Sequence, residues 1–172
     1  MAIRFITKRK EFLDKNYFIK AAFGILNKSF GSKSSLDYVK KLEKIGGERV
    51  LVDSNILIDY LRGKKESKEL IVYLLENSKC YLIPINIAEI YSGKDLSDPQ
   101  KEFIIDNFLK NFNLVLLDKE ISKTAGSLRR KYNSPLADAF IGAVSLIYDL
   151  VLITRNIKDF QKIIGLKIFI PY

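Results

Sequence analysis

From residue 49 onward, apolar positions take two alternating forms. Short unbroken apolar runs predict strands at Val50-Leu51-Val52, Cys80 to Ile85, Leu114 to Leu117, Val151 to Thr154 and Lys167 to Ile170. Between them, apolar residues recur about every three to four positions, which predicts helices. These helices cover Ile56 to Leu61, Lys68 to Leu75, Ile87 to Tyr91, Gln100 to Leu109, Ile121 to Tyr132 and Ala137 to Tyr148. Strands that are apolar on both faces and alternate with helices imply a central, mostly parallel sheet covered on both sides, a three-layer α/β/α fold. In such sheets the ligand site lies beyond the carboxyl ends of the strands.

The pattern before residue 49 differs. Ser34-Ser35 can cap a helix in which Leu36, Tyr38, Val39, Leu42 and Ile45 share a face, and Gly46-Gly47 stops it. A second apolar stretch runs from Tyr17 to Leu26. Residues 1–50 hold too few apolar partners for either stretch to build its own core. The chain therefore divides into a helical arm at 1–48 and a domain at 49–172, and the arm is expected to pack on something else.

Charge sharpens this division. The net charge is +9, and residues 1–50 carry 12 Lys/Arg against 5 Asp/Glu. A basic arm can meet phosphates or acidic protein surface, or simply be a solvated face. The start, MAIRFITKRKEF, has no apolar core before a cleavage site, and no apolar run is long enough for a membrane span. One cysteine, Cys80, suits a reducing cytoplasm and reads as a small buried hydrophobe.

Composition removes several chemistries. Without His there is no imidazole base or zinc ligand, and one Cys cannot build a thiolate cluster. Neither GxGxxG nor GxxxxGK[ST] occurs. A hydrolase made from carboxylates, hydroxyls, amides and cations points to a hard, oxygen-loving metal, Mg2+ or Mn2+.

Most acidic residues, among them Glu66, Glu69, Glu76, Asp95, Asp98 and Glu102, read as solvated helix charges. Four stand apart. Asp53 ends the run Val-Leu-Val, Glu89 lies in INIAEIYSG, Asp138 in SPLADAFIGAVS, and Asp159 follows VLITRN. Each alone has an ordinary reading: an N-cap for Asp53, a salt bridge for Glu89, a helix-dipole charge for Asp138, a loop charge for Asp159. Together they belong to segments at the carboxyl side of the sheet, where they would repel one another unless a divalent cation held them.

VLVDSNILIDYL at 50–61, IAEIYSG at 87–93, LADAFIGAVS at 136–145 and LITRNIKDF at 152–160 resemble, in order and spacing, the PIN domain. More narrowly they resemble the VapC-type ribonuclease toxins of prokaryotic toxin–antitoxin pairs. The resemblance covers 49–172. It implies a metal-dependent endoribonuclease in which Asp53, Glu89 and Asp138 bind Mg2+ or Mn2+, with Asn156 and Asp159 at a fourth corner. It leaves open which of those two touches metal, and whether one ion or two are held. Ser54, Asn55 and Thr154 match supporting polar residues. Arg62 and Arg155 adjoin these motifs and are candidates for steering phosphate.

The arm has no counterpart in such toxins. AAFGILNKSFGSKSSLDYVKKLEKI loosely resembles the toxin-binding tail of a VapB-type antitoxin. That resemblance implies a segment whose Arg4, Lys8, Arg9 or Lys10 reaches the acidic cleft. A helical extension completing the core and a basic RNA-binding arm are the alternatives. The expected partners are RNA and an antitoxin or the chain's own arm, and such domains usually form homodimers. Two other functions stay open: a PIN nuclease of RNA maturation or decay, and a self-inhibited toxin–antitoxin fragment fusion acting as a binding module.

Overall fold

The structure is a computed structural model that describes residues 40–93 and 99–172. The expected helix from Tyr17 to Leu26, the Ser34-Ser35 cap, Leu36, Tyr38, Val39, the basic residues of the first ten, Asp95 and Asp98 lie outside the described residues. Lys40–Lys44 belong to one unit of the chain and Ile45–Tyr172 to another.

The second unit alternates strands and helices. In chain order these are β1 (Arg49–Val52), α1 (Ser54–Leu61), α2 (Lys65–Asn77), β2 (Lys79–Leu82), α3 (Pro84–Tyr91) and α4 (Pro99–Leu109). Then come β3 (Asn113–Leu114), α5 (Lys119–Tyr132), α6 (Leu136–Ile147), β4 (Val151–Ile153), α7 (Ile157–Phe160) and β5 (Ile168–Phe169). The five strands are all parallel, in the order β3-β2-β1-β4-β5. Val50 pairs with Cys80 on one side and Val151 on the other.

This order sets the layers. The chain steps from β1 to β2 to β3 in one direction, and right-handed crossovers lay α1 to α4 on one face. It then returns to β4 through α5 and α6 on the opposite face. Leu51 and Leu152 pack there with Ile121, Ala125, Leu128, Ile141, Val144 and Phe160. Val50 and Val52, alternating to the other side, are also fully buried. Connections diverge at the carboxyl ends of β1 and β4, which opens a crevice between them.

Several boundaries differ from the sequence reading for local reasons. The strand expected from Cys80 to Ile85 stops at Leu82, because Pro84 takes the first position of α3. Its fixed φ and missing N–H suit a helix start. The Ile83 N–H donates to Asn86 Oδ1 at 2.9 Å and closes that turn. β3 is an edge strand paired only to β2, so it ends where its partner does, Leu114 opposite Leu82, rather than at Leu117. β5 is shorter by a residue at each end, and α2 is longer than Lys68 to Leu75 at both ends. The helix over residues 40–43 ends ahead of the expected glycine stop, and a turn spans residues 44–47. Gly47 has φ 87° and donates its N–H to Asn77 O at 2.6 Å, a backbone form that a side chain would strain.

Cys80 is buried, and burial pushes its thiol up to about 12, so it packs as a hydrophobe. Glu69 departs from the solvated class. It is partly buried, with Oε1 lacking a hydrogen-bond partner among the described residues, and burial raises its carboxyl pKa. Among the described residues no helix is long and apolar enough to cross a membrane.

Candidate active site

The crevice is built outward from Asp53, the first residue after β1. Its backbone N–H still donates to Ile153 O of β4 at 3.0 Å, so the sheet itself sets its position. Its side chain does not cap α1 but turns into the crevice, where the residue is 5% exposed. Three neutral donors hold that carboxylate. Thr154 Oγ1 and Asn55 Nδ2 each reach Oδ2 at 2.6 Å, and Ser54 Oγ reaches Oδ1 at 3.3 Å. The single Ser54 hydroxyl proton is shared between Asp53 and the nearer Glu89 Oε2, bridging two carboxylates from β1–α1 and α3.

Asn55 and Thr154 form a second layer. Asn55 Nδ2 lies 3.2 Å from Thr154 Oγ1, and its Oδ1 accepts from the Arg155 N–H at 3.3 Å. Thr154 Oγ1 in turn accepts from the Asn156 N–H at 2.9 Å. Asn156 is the residue before α7, and Asp159 lies on α7. Asp138 lies in the first turn of α6.

Electrostatics places these acids in one field. Burial and the charges of Asp53, Asp159 and Glu89 push the Asp138 carboxyl up to about 6; Lys162 opposes them. Burial also raises Asp53, although the Thr154 and Ser54 hydrogen bonds work against it. Among the described residues none of the four makes an ion pair with Lys or Arg. Carboxylates gathered without an ion-pair partner, with Lys162 acting on Asp138 only through its field, present donors that are all oxygen, and that donor set fits Mg2+ or Mn2+. No three acidic side chains among the described residues close on a single point as a direct cage.

The two arginines stand differently. Arg62, just after α1, is exposed, has no described ion-pair partner, and lines a groove of about 520 Å³ with Glu89, Lys101, Ile58, Ile90 and Ile104. Arg155 directs its Nε to Asp59 Oδ2 at 3.0 Å. Asp59 was not singled out in the sequence, although NILIDYL offered the same signal as Glu89 and Asp138: a carboxylate among apolar neighbours. Tyr172, the last residue, was also missed; its OH donates to Asp59 at 3.1 Å, and no local pattern announces that contact.

Comparison with known proteins bears on the family of the chain. A family model for the PIN domain matches residues 50–166. Ribonuclease VapC1 of Methanocaldococcus jannaschii is 30% identical over 137 residues, 76% of this chain and 93% of that protein. Ribonuclease VapC10 of Mycobacterium tuberculosis is 26% identical over 123 residues, covering 69% and 90%. Among solved structures, a toxin-antitoxin complex from Klebsiella pneumoniae matches with TM-score 0.63 and 32% identity, over 72% of this chain and 98% of that one. VapBC2 from Rickettsia felis, solved bound to a promoter DNA fragment, shares the fold with TM-score 0.60 at 19% identity, over 70% and 96%.

Proposed function

The chain belongs to the PIN-domain family, and from that premise we propose that it is a metal-dependent endoribonuclease toxin of the VapC type. The observation that supports this most is that Asp138 lies in the electrostatic field of Asp53, Asp159 and Glu89. Asp53 is oriented by three neutral donors, and Asp138 is lifted to about 6 by burial and by the other three.

In this reading Asp53, Glu89, Asp138 and Asp159 hold Mg2+ or Mn2+, directly or through water. When bound, the ion supplies an activated water and neutralises charge developing on the phosphodiester. The protein's part is orientation. Thr154 and Asn55 fix the plane of the Asp53 carboxylate, and Ser54 keeps Glu89 beside it. Neutral donors leave the negative charge of the pocket intact for the metal, whereas a lysine would compete for it. Arg62, exposed at the groove rim, offers two donors to a substrate phosphate, whereas the Arg155 guanidinium is already paired with Asp59.

The toxin-antitoxin complex at 32% identity supports an antitoxin as protein partner. Action in the cytoplasm as a homodimer is part of the same reading. The experiment is cleavage of a defined RNA by the full chain with and without Mn2+, beside Asp53→Asn. Mn2+-dependent cutting that Asp53→Asn abolishes is the expected result. Wild-type activity in that variant, or activity in chelator, would refute the reading.

A further inference from the structure

Asp59 lies one turn after Asn55 on α1, about 6 Å further along the axis. It is 9% exposed, and three donors converge on its Oδ2: Arg155 Nε at 3.0 Å, Lys64 Nζ at 3.3 Å and Tyr172 OH at 3.1 Å. The Tyr172 ring also lies under both cations, 4.3 Å from Lys64 Nζ and 5.9 Å from Arg155 Cζ. A carboxylate this buried is costly unless paired, so the cluster is held together as a unit.

Its position gives it a consequence. Residues 154–156 link β4 to α7, and α1 grips them at two heights. Asn55 takes the Thr154 hydroxyl and the Arg155 N–H, and Asp59 takes the Arg155 side chain. The same Thr154 hydroxyl meets Asp53 at 2.6 Å, and Asp159 follows a few residues on. We infer that Asp59 is a positioning residue. Through Arg155, and locked by the C-terminal Tyr172, it holds the β4–α7 link so that Thr154 orients Asp53 and α7 presents Asp159. Arg155 is then an anchor rather than a phosphate contact. This rests on the nuclease reading above.

The test compares full-length wild type, Asp59→Asn and Arg155→Gln, with Mn2+ binding followed by the paramagnetic signal of the free ion and cleavage followed on RNA. Asp59→Asn should raise the Mn2+ Kd and lower kcat, each by about tenfold, with KM for RNA unchanged. Arg155→Gln should do the same, whereas a phosphate contact would raise KM instead. Combined with Thr154→Val, Asp59→Asn should add little, since both act on one carboxylate. Wild-type Mn2+ affinity and kcat in Asp59→Asn, or losses that add in full, would overturn the positioning role. If Asp59→Asn does not fold, Arg155→Gln and Tyr172→Phe carry the same comparison, and wild-type values in both would overturn it. A wild-type chain that neither binds Mn2+ nor cuts RNA overturns the nuclease reading along with it.

Discussion

Thr154 donates its hydroxyl to Asp53 across 2.6 Å, joining residues 101 positions apart. Each stands just past the carboxyl end of a neighbouring strand, β4 and β1, whose parallel register places Val52 beside Ile153. The sheet therefore delivers the bond with no adjustment of the loops.

Thr154→Val keeps the shape and removes the donor. Asp53 keeps Asn55 and Ser54, so the fold should survive with a loss under about 2 kcal/mol. Metal affinity or turnover should fall about 10–100-fold, the usual cost of losing a partner behind a metal ligand. Thermal unfolding and Mn2+ titration of the same preparation check both halves.

Asp53→Asn should abolish cleavage without destabilising the metal-free chain. The native carboxylate is buried, with its pKa raised, so neutralising it relieves a cost. A melting temperature well below wild type in chelator would contradict this.

Asp138 should make metal-free stability fall with rising pH. Its folded pKa, pushed up to about 6, lies above the unfolded value of about 3.9. The folded state therefore binds the proton more tightly, and this contribution is full below the unfolded value and lost as pH rises through about 6. In chelator, wild type should lose stability relative to Asp138→Asn between about pH 4 and 7. Saturating Mn2+ at neutral pH should restore it, because the ion takes the place of the proton. Parallel melts across that range, with and without metal, decide it.

Arg62→Ala should weaken RNA binding while leaving Mn2+ affinity alone. The side chain is exposed at the groove rim and touches none of the four acids within ion-pair distance. KM should rise and depend less steeply on salt, since one phosphate contact is gone. An unchanged salt slope would remove Arg62 from the substrate path.

Phe160→Ala should cost about 3–5 kcal/mol. Phe160, the last residue of α7, is fully buried and belongs to the same core cluster as Leu152 and Ile163. Because Asp159 precedes it, activity should fall further than the loss of folded protein explains; urea titration beside cleavage rates separates the two.

Much of this was readable in advance. The parallel sheet followed from strands apolar on both faces, and Val50, Leu51 and Val52 are indeed fully buried. The four acids were flagged by their place after strands or within apolar helices; the Asp138 carboxyl feels the charges of the other three, and their joint role as a metal site is a proposal. Strand ends were less readable. Pro84 was visible in the sequence, yet the apolar run continued through it to Ile85, and only hydrogen-bond pairing shows where a strand stops.

The sequence by itself determined the alternation of elements, the chemistry excluded by the absence of His, and the order of the four acidic motifs. Those are properties of spacing and residue type, which a linear pattern carries in full. Tertiary structure alone decided that Thr154 orients Asp53 and that Ser54 bridges to Glu89. It also decided that Arg155 turns to Asp59 and that the C-terminal Tyr172 closes over them. Each of these contacts joins segments 35 to 113 positions apart. A hydrogen bond requires heavy atoms within about 3 Å of each other in good alignment. No local pattern encodes that convergence, because strand order and register create it only once the sheet has formed.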